Sequence, residues 1–412
     1  MRGAARTVCA GGAAMVLAAC SAVSSTPVIV LPQSTGSSGL QFSLSKIKNN
    51  NFSAMPALKP LDALGRGSIA VILPAVASAG HFKQFDAGYF GTAFGRAGLA
   101  PGQYTVELAQ GSQEFHTVRQ AIAGGAKVLV LDTRYAGDGG QIESYAKNHG
   151  VPVIDYDWLT LGGTREYYVG FDSLKIGVLL GQGLVSCVSA WKVSHPRVIV
   201  MKGAADDYNS ALYAEGYDAV LARRFSTGWK DVSNPPGTWD PLVARSEFKQ
   251  AYAAHKKAHK RAHKKAHKQI NAALIPNDEN ATPIITYLKS LGVKPWTFPA
   301  TGLDATVRGL QRILAGYQCG TVYKPIHLEA QAAAALAMYI WAGVKPPASL
   351  VNWSISDPQT NSSVPSALLT PEWVTRQNMK ITVIRDRFVK PAVLCKGYVK
   401  PCSRDGIRLA AR

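Results

Sequence analysis

Acid is scarce in this 412-residue chain: 26 Asp and Glu stand against 45 Lys and Arg, a formal net charge of +19. Such an excess ordinarily points to nucleic acid or an anionic surface. Part of it is local, because residues 255–268 hold seven Lys and Arg and no acid; subtracting those seven leaves +12, thinly spread. No helix-turn-helix or zinc-finger spacing accompanies the charge, so no nucleic-acid partner is expected. Cysteine is scarce too, with six in all and none in C-x-x-C spacing, which argues against dithiol redox and zinc chemistry. A G-x-S-x-G nucleophile motif is missing. The apolar run near the start is too short for the roughly 20 residues that cross a bilayer.

What is present begins at that start. Arg2 and Arg6 precede a short apolar run that ends in Leu17-Ala18-Ala19-Cys20. A basic lead, a short apolar stretch and small residues form a secretory signal. The last four residues resemble the lipobox of bacterial lipoproteins, which makes Cys20 the expected lipid anchor. The resemblance implies a protein exported and held on the outer face of the cytoplasmic membrane, at the cell surface or in the periplasm. Cys9 and Cys20 belong to the signal. Cys187, Cys319, Cys395 and Cys402 remain, an even number in an oxidising compartment. Cys395 and Cys402 stand seven apart and can close a small loop, which leaves Cys187 with Cys319.

Residues 21–65 are rich in Ser, Pro, Asn and Gly without periodicity and read as a flexible spacer. Order is expected from Ser68-Ile69-Ala70-Val71-Ile72-Leu73-Pro74, an apolar run with the character of a buried strand. Strands at 104–108, 127–131 and 151–156 follow, alternating with helices at 85–99, 112–123 and 141–149. The alternation restarts with strands at 167–170, 197–201, 271–276 and 295–300 and helices at 175–190, 209–224, 240–268, 281–291 and 305–315. Apolar strands alternating with helices specify parallel sheets covered on both faces, so two similar α/β lobes are expected. Ligands of such sheets bind at the carboxyl ends of strands, which between two lobes become a cleft.

Several strand ends finish in polar or aromatic groups: Asp155-Tyr156-Asp157-Trp158, Asp206-Asp207-Tyr208-Asn209, Asn277-Asp278 and Gly302-Leu303-Asp304. Carboxylates and amides suit sugar hydroxyls, since each oxygen accepts a directed hydrogen bond in a half-dry cleft. Trp158, Tyr208 and Trp239 can stack on the apolar face of a sugar ring. Asp and Asn after a strand also serve as ordinary helix N-caps.

The motifs Val153-Ile154-Asp155-Tyr156-Asp157, Tyr168-Val169-Gly170-Phe171-Asp172, Pro276-Asn277-Asp278, Gly302-Leu303-Asp304, Thr321-Val322-Tyr323-Lys324-Pro325 and Leu368-Leu369-Thr370-Pro371 occur in that order. Over residues 66–390 the chain resembles the type I periplasmic sugar-binding proteins, and most of all their D-xylose-binding branch. The resemblance implies two Rossmann-like lobes with parallel sheets joined by a three-crossing hinge. It places lobe 1 at 66–158 with 321–352 and lobe 2 at 159–320 with 353–390. Hinge crossings fall near 157–162, 318–324 and 350–365, and a tail at 391–412 carries the small disulfide.

Carried over residue by residue, the implied ligand groups are Asp157, Asn209, Asn277, Asp304 and Lys324, with Trp239 stacking. His81 and Phe82 stand where the family places an Arg and an aromatic. Trp158, Ala75 and Ala214 depart from the family's charged residues, so the sugar itself does not follow from the resemblance. The implied function is capture of a xylose-like monosaccharide or related carbohydrate by a monomer and delivery to an ABC permease, without cofactor or catalytic step. A sugar-sensing partner of a membrane receptor is the second reading. An enzyme using the adjacent carboxylates Asp206 and Asp207 is the third.

The segment 254–268 repeats Ala-His-Lys-Lys with period four, which puts His255, His259, His263 and His267 on one helical stripe. The plain reading is a solvated basic extension of a helix. Metal binding by that stripe and contact with anionic lipid or cell-wall polymer are the alternatives.

Overall fold

The computed structural model describes residues 41–75, 80–133, 139–233, 235–261 and 270–408. The signal with Cys20 and the first half of the spacer lie outside them. So do His263, His267 and the side chains of His255 and His259. Among the described residues no group of three or more His, Cys, Asp or Glu is placed to hold a metal ion.

The first half of the chain follows the expected alternation. It runs β1 (Ser68–Pro74), α1 (Ala87–Ala97), β2 (Tyr104–Ala109), α2 (Glu114–Ala123), β3 (Ala126–Leu131), α3 (Gly139–Asn148), β4 (Val153–Tyr156) and β5 (Tyr167–Phe171). The second half runs α4 (Ser173–Ala190), β6 (Arg197–Val200), α5 (Tyr208–Phe225), β7 (Lys230–Ser233), α6 (Pro241–Arg261), β8 (Ala272–Leu274), α7 (Asp278–Ser290), α8 (Val307–Leu314), β9 (Thr321–Tyr323) and α9 (Ile326–Trp341). A closing section adds β10 (Trp353–Asp357), β11 (Ser362–Leu369), β12 (Glu372–Val374), α10 (Pro391–Leu394) and α11 (Val399–Arg404).

One sheet has seven strands in the order β10-β11-β5-β4-β3-β1-β2, parallel throughout except that β10 runs against β11. The period of two in β1 sorts its side chains. Ile69, Val71 and Leu73 join α1 and α9 on one face, while Ala70 and Ile72 join α2 and α3 on the other. The second sheet has the order β7-β6-β8, all parallel, and continues through single bridges at Ala273–Ala300 and Leu303–Val322 to β9 and its antiparallel neighbour β12. Here Val198 and Val200 face α4 and α5, and Ile199 faces α6 and α7. Each such aliphatic side chain removed from water contributes about 1.5–3 kcal/mol. Helices α4 and α5 touch backbone to backbone through glycine: a Cβ on Gly177 would lie 2.1 Å from the carbonyl oxygen of Tyr213. That close approach brings the start of α5 under the end of β5.

Four expectations are corrected. Residues 41–65 are not a flexible spacer. Two short 3₁₀ helices, Leu44–Lys46 and Met55–Leu61, seat Phe42, Ile47, Phe52, Met55, Leu58 and Leu61 in the core beside α1 and α9. Pro56 and Pro60 and the 3₁₀ geometry erase the 3.6-residue period that would have announced them. Residues 295–300 form no strand, only the bridge at Ala300. Pro295 and Pro299 lack the N–H a ladder needs, and Trp296 adopts φ +64°.

The third correction concerns the lobe boundaries. Strands β5, β10 and β11 belong to the first sheet, not the second, and β9 belongs to the second, not the first. The fourth follows from it. The segment 157–166 does not cross between sheets, because it is bound back onto the first one. Thr160 N–H donates to Asp155 Oδ2 at 2.7 Å, Gly162 N–H donates to Asp357 Oδ2 at 2.9 Å, and the buried Arg165 guanidinium pairs with Asp357. The chain instead leaves the first sheet after Phe171, returns through Lys324-Pro325 into α9, and leaves again at Thr370-Pro371 between β11 and β12. The expected disulfide pairs both form, Cys187 with Cys319 and Cys395 with Cys402, at Cα separations of 6.0 and 5.9 Å.

Candidate functional site

A cleft lies where the strand ends of the two sheets face each other. Its centre is Lys324, the first residue after β9 and part of the middle crossing. The Lys324 side chain is almost wholly buried, and its Nζ lies 2.9 Å from Asp157 Oδ1 and 3.7 Å from Asp304 Oδ1. One carboxylate follows β4 of the first sheet and the other precedes α8 of the second, so a single ammonium joins both. Burial works against that ammonium. The carboxylates of Asp157 and Asp304 outweigh it and hold the lysine pKa well above the ordinary value.

Both acids are aimed by unusual backbone. Asp157 has φ +58° and Asp304 has φ +86°, left-handed conformations that cost a non-glycine residue of order 1–3 kcal/mol. Neighbouring hydrogen bonds enforce them. Asp157 N–H donates to Val169 O at 2.9 Å, and its carbonyl accepts from Tyr168 Oη at 3.0 Å and Asn209 Nδ2 at 2.8 Å. Asp304 N–H donates to Val322 O at 2.8 Å.

The start of α5 supplies a second wall. Asp207 caps the helix, its Oδ1 accepting from Asn209 N–H at 2.8 Å, and its Oδ2 accepts from Trp239 Nε1 at 2.9 Å. That bond holds the indole against the cleft, its ring lying on Gly203 so closely that a Cβ there would sit 2.2 Å from Trp239. Asn209 Oδ1 accepts from Ser173 Oγ at 3.0 Å, and the Nδ2 bond to the acceptor-only Asp157 carbonyl fixes which end of the amide is which. Tyr213, one turn along α5, lines the cleft with its hydroxyl pKa raised, first by burial. Asn277 faces the same space while its Oδ1 caps α7 by accepting from Asn280 N–H at 2.9 Å. Beneath Lys324, the wholly buried Glu329 carboxyl is pushed well above its usual range by burial and then by Asp157.

His81 completes the lining from the loop after β1. Its Nδ1 lies 3.0 Å from Asp86 Oδ2, and Asp86 Oδ1 accepts from Tyr156 Oη at 2.5 Å. Seven of the ten residues expected at a site thus meet in one cleft: His81, Asp157, Asn209, Trp239, Asn277, Asp304 and Lys324.

The other three stand elsewhere. Phe82 is fully buried in the core behind His81, their ring centres 4.0 Å apart. Trp158 and Tyr208 line a neighbouring pocket with Leu159 and Asp206, because the reversal at Asp157 turns the next side chain away. Of the adjacent acids Asp206 and Asp207, only Asp207 lines the cleft. Tyr213 was missed, and Asp207 and Leu303, though part of the strand-end motifs, were not carried over as ligand residues. Asp207 carries only the ordinary cap pattern, and Tyr213 and Leu303 have the spacing of core residues.

A family model described as a periplasmic binding protein domain matches residues 69–345. The D-xylose-binding periplasmic protein of Escherichia coli is 30% identical over 294 residues, 70% of this chain and 82% of that protein. The multiple sugar-binding periplasmic receptor ChvE of Rhizobium radiobacter is 25% identical over 359 residues, 80% of this chain and 93% of the receptor. Among solved structures, a carbohydrate transporter solute-binding protein from Chloroflexus aurantiacus in complex with D-glucose superposes with a TM-score of 0.66 at 23% identity, covering 79% of this chain and 97% of that one. The doubly wound sheets, the cleft at their strand ends and these likenesses together establish that the chain belongs to the periplasmic binding protein family.

Proposed function

We propose that the protein captures a sugar in the cleft around Lys324 outside the cytoplasm and hands it to an ABC permease in the membrane. The observation that carries this reading is the buried Asp157–Lys324–Asp304 group. It offers two charged acceptors and one charged donor to hydroxyl groups, and charge-assisted hydrogen bonds are about twice as strong as neutral ones. Asn277 and Asn209 add amides, and Trp239 adds an aromatic surface for the ring's C–H face. The named ligands of the relatives, xylose and multiple sugars, support a monosaccharide at this centre.

Closure follows from where the groups sit. Asp157 comes from one sheet and Asp207, Asn277 and Asp304 from the other, so a sugar that touches both favours the closed arrangement by its differential affinity. Three short crossings permit that motion. A permease then reads the closed surface. Both acids bind the same ammonium rather than standing across a bond to be cleaved, which supports binding without catalysis. The Leu17-Ala18-Ala19-Cys20 motif supports lipid attachment at Cys20, with the protein working as a tethered monomer.

Thermal unfolding against a panel of pentoses, hexoses and polyols tests the proposal. A sugar at 100 times its Kd is expected to stabilise the protein by about 2.7 kcal/mol, and Asp304→Ala is expected to remove the effect. A panel without any shift overturns the reading.

A further inference from the structure

The cleft around Lys324 is not closed on itself. A second, larger cavity adjoins it, and the two share His81 and Asp304 as common wall. The larger cavity has a mixed lining. Glu279 and the exposed Arg308 provide charged groups on one side. The half-buried Phe85 provides an aromatic surface on the other, its ring backed by the buried Phe388 with centres 4.6 Å apart. Charged hydrogen-bonding groups opposite an aromatic face are what a sugar ring requires, hydroxyls on its edge and C–H groups on its face. This wall draws on the chain's last section, since Phe388 follows β12 and is held in the core that the Cys395–Cys402 loop completes.

Resting on the sugar reading above, we propose that this cavity is a second subsite, and that the preferred ligand is a disaccharide. One ring lies at Lys324 and the next passes His81 and Asp304 to reach Phe85. A monosaccharide fills the first cleft and leaves the larger, half-apolar space to water. A second ring displaces that water and gains its own contacts without new ordering of the protein.

Calorimetric titration of the purified protein with xylose against xylobiose, glucose against cellobiose and galactose against lactose tests the inference. At least one disaccharide is expected to bind about tenfold or more tightly than its monosaccharide. Val307→Trp, which fills the second cavity from the first turn of α8, is expected to erase that advantage and leave the monosaccharide affinity unchanged. Arg308→Ala, at an exposed position, is expected to weaken the disaccharide alone and serves where the tryptophan variant does not fold. Equal affinities, exclusion of every disaccharide, or an advantage that survives both variants overturns the inference while leaving the sugar reading intact. A protein that binds neither mono- nor disaccharides overturns both.

Discussion

At the residue scale the chain's chemistry is concentrated in Lys324. Its two carboxylate partners, both in left-handed backbone, would repel each other without it. Removing one member of a buried charged group costs roughly 3–5 kcal/mol. Lys324→Met is therefore expected to lower unfolding stability by that order in urea melts, as well as to abolish sugar binding; a variant as stable as the parent would contradict the geometry.

A second buried group sets a pH dependence. His327 is 1% exposed, and burial, opposed by Asp386, pulls its pKa from 6.5 down to about 4. The unfolded chain takes up its proton below about 6.5 and the folded chain only near 4. Stability from this group is whole above 6.5 and falls by about 3 kcal/mol as pH drops to 4. Asp278 acts oppositely. Burial raises its carboxyl to about 6, so its share of stability is present below about 4 and lost as pH rises through 6. Urea melts at pH 7 and pH 4 on the protein and on His327→Gln are expected to separate the two, the variant losing less stability at pH 4.

Most of the candidate cleft was legible at this scale, because Asp157, Asn277 and Lys324 follow strands and Asp304 sits in a recognisable Gly-Leu-Asp motif. Phe82, Trp158 and Tyr208 were not placed correctly. Whether a side chain beside a motif faces the cleft depends on one backbone reversal, and an aspartate at φ +58° leaves no mark in composition.

At the element scale, strands made of continuous apolar runs were mostly readable, and the helices between them fell within a few residues of expectation, except that α6 ends at Arg261 and the last part of the helix expected at 240–268 lies outside the described residues. Elements of mixed character were not. The hairpin of β10 and β11 alternates serine with apolar residues at the sheet edge, and the segment 41–61 buries single large side chains without helical period. Cysteine parity gave both disulfides.

Those disulfides differ in what they restrain. Cys187–Cys319 joins α4 to the segment before β9 across 132 residues, whereas Cys395–Cys402 spans seven. Loop-closure entropy assigns about 5 kcal/mol to the first and about 2.5 kcal/mol to the second. Replacing each pair by alanine is expected to lower the Tm of the Cys187–Cys319 variant more. The reverse order would show that the C-terminal loop, packed around Phe388 and α8, supports the fold more than its length suggests.

At the scale of the whole molecule the two-sheet architecture was foreseen, and the middle crossing, expected near 318–324, falls at Lys324-Pro325, but the other two, after Phe171 and at Thr370-Pro371, were not. Their position depends on pairing between distant segments. Strand β5 joins β11 in register from Tyr168–Ser366 to Phe171–Leu369, and Arg165 binds the preceding loop to Asp357. No local pattern reports such pairing. Its consequence is functional, since it places Lys324 on the middle crossing, where the movement of one sheet against the other is felt directly.

The account's central claim is that a sugar is held between the sheets by the group around Lys324. Calorimetric titration of the protein, Asp304→Ala and Trp158→Phe with the sugar that stabilises it most tests this directly. The expected result is one site per chain, an affinity lost by at least about tenfold in Asp304→Ala, and an affinity unchanged in Trp158→Phe, whose ring lines the neighbouring pocket. Full affinity in Asp304→Ala, or its loss in Trp158→Phe alone, would contradict the account and move the binding site out of this cleft.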